Sequence, residues 1–222
     1  MKLLIGASIL LFITPVMAAD YMAEEDQPPI INGCVLKQKT QCPGTDLQGA
    51  DLSNMDLRGA NFKGANLREA NLNHASLRGA NLDGANLDGI RGYRLQIYRG
   101  SMRGAKVRNA ELQGMQGEYL FAQGADFSGS DLTGANFAFS RFAGATLQGS
   151  NLSFSSFEIA WLPKANLQGA NLQGANLQEA KLGLANLAQA DLTNTRIHYA
   201  TFDAPSTIAN QAGIHGKVNQ FH

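Results

Sequence analysis

Six basic side chains crowd one stretch of the chain. In "RGYRLQIYRGSMRGAKVR", residues 91 to 108, Arg91, Arg94, Arg99, Arg103, Lys106 and Arg108 occur with no acid among them, and Tyr93 and Tyr98 interleave. Cations at that density suit an anion or an acidic partner surface, and the same composition also describes a solvated face. The chain's formal net charge is zero and its N-terminus carries an export signal, so nucleic acid is not an expected partner.

Sulfur chemistry is confined to Cys34 and Cys42, with seven residues between them. In an exported chain that spacing reads as a local disulfide closing a small loop. A metal site would need two more ligands, and the nearest, His74, stands alone, so no metal is expected. Other chemistry is missing. No nucleophile has a base and an orienting partner at a recognisable spacing, GxSxG does not occur, and His74, His198, His215 and His222 are scattered. Asp46, Asp51 and Asp56 recur every fifth residue and fall on successive sides of any five-residue coil, which makes a poor cation site. The sequon at Asn151 is one repeat unit and receives no role. The sequence predicts no catalytic residue, no cofactor and no enzyme.

The elements that must position these groups are set by length and periodicity. At 222 residues and 44% apolar the chain can build a sizeable core. It opens on "MKLLIGASILLFITPVMAAD", a Lys, an apolar run and small residues at Ala18 and Ala19, the pattern of a cleaved secretory signal over 1–19. An uncleaved membrane anchor is the competing reading, although the run is shorter than the roughly 20 residues that span a bilayer. The expected location is the periplasm or outside the cell, with no stable membrane insertion after cleavage. Residues 20–44 read as an acidic leader followed by an N-terminal cap.

From Leu47 to Phe202 the chain divides into 32 five-residue units, and 29 of them carry Leu, Phe, Ile, Val or Met at the central position. Two residues earlier, 20 of the 32 carry Ala. In extended backbone, residues two apart share a face, so the small and the large residue both point inward and the Asn or Asp between them points out. A helix would carry a five-residue period around its axis and hold no apolar stripe. The chain must therefore wind as a stacked coil in which each unit is stabilised by its neighbours.

The segments "ADLSNMDLRGANFKGANLREANL" and "ANLQGANLQGANLQEA" resemble the pentapeptide-repeat family, whose pattern is A(D/N)LXX. The resemblance covers 45–202. It implies an all-β chain, a right-handed quadrilateral parallel β-helix with four units per coil. That gives about eight coils and, at roughly 4.8 Å per layer, a rod of about 38 Å. Both ends of such a rod need covers. The segment with Cys34 and Cys42 is expected to close one end. Residues 203–222, with Asp203, Pro205 and Gly213 as start and stop signals, are expected to cap the other with a short helix.

Between 88 and 126 the pattern breaks, because Gly92, Gly117 and Ala122 stand where large residues are expected. Register survives, since Leu87 and Phe127 are 40 residues apart, a multiple of five and of twenty. Each small central residue also follows a large inward one: Ile90 with Gly92, Met115 with Gly117, Leu120 with Ala122. Exchanging volume between inward positions keeps the core filled, which predicts a continuing coil; the alternative is a loop two coils long.

Aligned by twenties, one outward column reads Arg99, Tyr119, Phe139, Ile159, Glu179, and its neighbour Ser101, Phe121, Arg141, Trp161, Lys181. Tyr119, Phe121, Phe139, Ile159 and Trp161 then form an apolar edge, and such an exposed patch marks an interface. The expected partner is an unidentified protein or a second copy of the chain. The function expected is that of an exported, non-catalytic interaction or scaffold protein. The resemblance implies one alternative, a nucleic-acid mimic that binds a topoisomerase such as gyrase, from which this chain departs by its export signal and its lack of a strongly acidic surface.

Overall fold

The computed structural model describes residues 27–202. The expected signal segment and the expected C-terminal helical cap lie outside the described residues. Two short strands, β1 (Ile30–Ile31) and β2 (Cys34–Val35), open the described chain as an antiparallel hairpin. Asn32 and Gly33 form its two-residue loop, both at positive φ (48° and 78°), the backbone that an Asn-Gly hairpin turn requires. Cys34 is bonded to Cys42, and the Asn32 amide donates to the Asp46 carbonyl at 2.7 Å. The hairpin is thereby tied to the first coil, where Leu36 is buried.

From Gln41 onward every fifth residue pairs in parallel with the residue twenty further on: Gln41 with Asn61, Asp46 with Asn66, Asp51 with Asn71, Asp56 with Ser76, and so on to Lys181 with Thr201. The result is a four-sided parallel β-helix, 20 residues to the coil. We call the sides first to fourth, after the columns that start at Gln41, Asp46, Asp51 and Asp56. The backbone ladder alternates between the coils on either side of it: the Leu47 amide donates to the Asn66 carbonyl at 2.7 Å and the Asn66 amide to the Thr45 carbonyl at 3.0 Å. Corners are four-residue turns closed by one bond, for example Ala50 N–H to the Leu47 carbonyl at 3.1 Å. The third residue of every such turn, each fifth position from Lys39 to Tyr199, has positive φ, and about half of these are glycine. A positive φ there is the signature of a type II turn.

Each letter of the repeat has a physical cause. Ala and Leu fill the interior, and from Ala60 to Ala190 both inward positions of every unit are buried. The Asn or Asp between them caps the turn that follows: Asp46 Oδ1 accepts from the Gln48 amide at 3.2 Å, Asn61 Oδ1 from Lys63 at 3.2 Å, and Asn166 Oδ1 from Gln168 at 3.2 Å. A polar side chain that bonds the backbone two residues on leaves no turn amide unpaired.

The coil runs unbroken through 88–126. Arg91 pairs with Glu111, Gln96 with Gln116, Ser101 with Phe121 and Lys106 with Asp126. Ile90, Met115 and Leu120 are fully buried beside Gly92, Gly117 and Ala122. Compensation also comes from the next coil. A Cβ on Gly92 would lie 2.7 Å from Leu112 Cδ2, and one on Gly117 would lie 2.9 Å from the Phe137 ring. Phe127, Phe137, Phe142 and Phe157 then pack ring on ring above the thin layers, at centroid separations of 5.1 to 5.7 Å.

Candidate interaction surface

A coil of 20 residues turns an 18-residue run almost once around the rod. The six cations therefore do not share a face: Arg91 and Arg94 fall on the third side and its corner, Arg99 on the fourth corner, Arg103 on the first side, Lys106 and Arg108 on the second. Stacking also supplies the acids that the linear stretch lacks. Arg108 meets Asp88 at 2.5 Å and Asp126 at 4.0 Å, and Arg103 meets Asp83 at 3.5 Å. The single basic patch expected from the sequence is thus a ring of separate charges, two of them paired.

That ring carries a backbone device. Asn or Asp is absent at Arg91, Ser101 and Lys106, so the turn amides two residues on need other acceptors. The coil below provides them: Asn73 Oδ1 accepts from Tyr93 N–H at 2.8 Å, Asp83 Oδ1 from Arg103 at 2.8 Å, and Asp88 Oδ1 from Arg108 at 3.0 Å. The Arg108 guanidinium and amide beside Asp88 hold its carboxyl below the usual carboxylate range. Asp56 is held down to about 2, chiefly by hydrogen bonds from Arg58. Burial raises Asp131, yet the Thr133 hydroxyl and amide and the Gln113 amide group outweigh it and leave it lowered.

The apolar edge assembles along the fourth corner and the first side. Tyr119 and Phe139 stack with centroids 5.0 Å apart and planes 6° from parallel. Tyr98 meets Tyr119 edge to face at 5.5 Å, and the Arg99 guanidinium lies over both rings at 5.1 and 5.5 Å. Phe139, Ile159 and Trp161 remain exposed by 44%, 41% and 48%. Phe121 is less available than the column alignment suggests. It is half-buried, between the guanidiniums of Arg103 at 4.6 Å and Arg141 at 5.4 Å.

One feature of this edge, its backbone, was invisible in the sequence. Tyr119, Phe139 and Ile159 occupy the left-handed turn position, at φ of 58°, 62° and 57°, where a bulky or β-branched residue is strained. Trp161 stands where the repeat usually has a capping Asn, but the residue two on is Pro163, which has no amide to cap. Among the described residues no cluster of His, Cys, Asp or Glu could hold a metal, and no helix is long and apolar enough to cross a membrane.

A four-sided parallel β-helix of five-residue units, with polar caps outside and Leu and Ala inside, defines the class of protein. The profile described as "Pentapeptide repeats", in eight copies, matches residues 38–73, 56–91, 123–158, 150–187 and 170–204, and the chain belongs to that family. The matches leave 92–122 uncovered, the stretch where the pattern lapses and the coil persists. Similar solved structures include HetL, a pentapeptide repeat protein involved in heterocyst differentiation regulation from Nostoc sp. strain PCC 7120. It is 23% identical, over 81% of this chain and 94% of that one, with a TM-score of 0.36. QnrB1, a plasmid-mediated fluoroquinolone resistance protein, is 15% identical over 73% and 89%, with a TM-score of 0.48. A thylakoid-lumen pentapeptide repeat protein of Arabidopsis thaliana is 22% identical over 43% and 70%, with a TM-score of 0.28. No curated protein matches the chain.

Proposed function

We propose that this protein is an exported, non-catalytic scaffold whose rigid rod presents one side for binding. The observation that carries the reading is the set of large apolar residues held exposed at strained turn positions, Tyr119, Phe139 and Ile159, beside exposed Trp161. Glycine fills about half of those turn positions, and small or polar residues such as Gln41, Asn61, Asn81, Ser101 and Thr201 serve in the Trp161 column, so the fold itself asks for neither bulk nor ring there. A contiguous patch that costs strain and exposure is retained for an interface.

Replacing Trp161 and Phe139 by Ser tests this directly. The double variant is expected to keep its circular dichroism and melting cooperativity while losing its binding partner; unfolding would show that the edge is core rather than interface. Export is tested by fractionation, with the processed chain expected outside the cytoplasm. Inhibition of gyrase supercoiling by the processed chain would instead favour a nucleic-acid mimic.

A further inference from the structure

The sides of the rod differ in charge. On the first side, the outward positions from Gln41 to Thr201 carry Lys63, Arg103, Arg141, Lys164 and Lys181 against one acid, Asp83, which pairs with Arg103. On the opposite, third side, those from Asp51 to Asn194 carry Asp51, Glu111, Asp131 and Asp191 against Arg91 and Arg94. The edge acids Glu118 and Glu158 turn away onto the fourth side, where they accept from Asn136 at 2.9 Å and Asn176 at 3.3 Å. Glu179 follows Ile159 in the corner column, and exposed Tyr199 follows Glu179.

Resting on the scaffold reading above, we propose that the first side docks on an anionic lipid bilayer as a peripheral membrane contact. Every layer of this side steps by 20 residues, so the same outward columns recur from coil to coil along its length. Exposed Phe139, Ile159 and Trp161 supply apolar and interfacial aromatic groups to the boundary between headgroup and acyl chain. Leu184, 59% exposed at the far corner of the same side, extends the apolar contact across its width. The cations answer anionic headgroups, and the acidic third side is repelled by them, which fixes the side that lands.

The chain's single tryptophan, Trp161, is a built-in reporter. The experiment adds vesicles of equal parts phosphatidylglycerol and phosphatidylcholine to the full chain and follows Trp161 emission. The expected result is a blue shift and quenching by bromolipid, both absent with pure phosphatidylcholine. R141Q/K181Q should weaken partitioning about thirtyfold at low salt, as expected for two surface cations lost. Gln already occupies equivalent positions at Gln96 and Gln116, so the fold is expected to survive. Vesicle binding without a Trp161 response, through the N-terminal apolar segment, overturns the inference. So does an equal response to neutral vesicles. If Trp161 responds instead to polyglutamate or to rising protein concentration, the lipid surface is wrong and the scaffold reading stands, with an acidic protein or a second copy as partner. Trp161 silent to all three overturns the lipid inference, and the scaffold reading then stands or falls on the Trp161 and Phe139 double variant.

Discussion

At the scale of single residues, the turn position decides more than its exposure suggests. Ile159 holds a left-handed backbone at φ 57° although it is β-branched, a conformation that costs about 1–2 kcal/mol for an L-residue. Ile159→Gly removes that strain and gives back roughly 0.5–1 kcal/mol in chain entropy. The melting temperature of this variant is therefore expected to stay level or rise, where truncation of a structural apolar residue lowers it. Leu120→Ala supplies the contrast. Leu120 fills the space that Ala122 leaves empty, and its loss should cost about 2–5 kcal/mol in denaturant unfolding. Gly117→Ala should cost about 1–3 kcal/mol by forcing a methyl onto the Phe137 ring. Charge follows the same local logic. Asp56, at about 2, is depressed in the folded chain below its ordinary 3.8. Its contribution is full above that ordinary value and drains as pH falls toward 2. The melting temperature should accordingly drop between about pH 4 and pH 2, and less so in Asp56→Asn. The amount is small, because Asp56 and Arg58 are half exposed and screened.

At the scale of elements, the hairpin cap and the coil were legible to different degrees. The pairing of Cys34 with Cys42 was expected from two cysteines with seven residues between them in a chain read as exported, and the geometry joins them. A loop of that length should add roughly 2–3 kcal/mol, measured as the loss of stability on reduction or in Cys34→Ser/Cys42→Ser. The coil between 88 and 126 was readable because Leu87 and Phe127 stay in phase and because volume lost at Gly92 reappears at Ile90. Half of the compensation was not readable. Leu112 over Gly92 and Phe137 over Gly117 act between layers, a distance of twenty residues that a scan along the chain does not register. The caps that Asn73, Asp83 and Asp88 lend to the coil above were hidden for the same reason, although Asp83 and Asp88 depart visibly from the Gln common at that place in the repeat.

At the scale of the whole molecule, a linear cluster and a spatial one proved to be different things. The run Arg91 to Arg108 looks like a patch in sequence and becomes a ring in space, since a run nearly one coil long must visit every side. The cations that do share a side, Lys63, Arg103, Arg141, Lys164 and Lys181, are spread over more than a hundred residues and are brought together by the twenty-residue step. The aromatic edge was found in advance because its column was counted in twenties. The basic side was missed because charges were counted along the chain. Both depend on the coil passing in register through the stretch where the repeat lapses. The most direct measurement of that claim is thiol cross-linking across it, with exposed Gln96 and Gln116 both replaced by Cys. These two are bridge partners one coil apart, and a short cross-linker is expected to join them in high yield, while Gln96→Cys paired with Glu111→Cys, on the neighbouring side, should react poorly. A looped-out segment would give no preference for the twenty-residue pair, and that result would contradict the account.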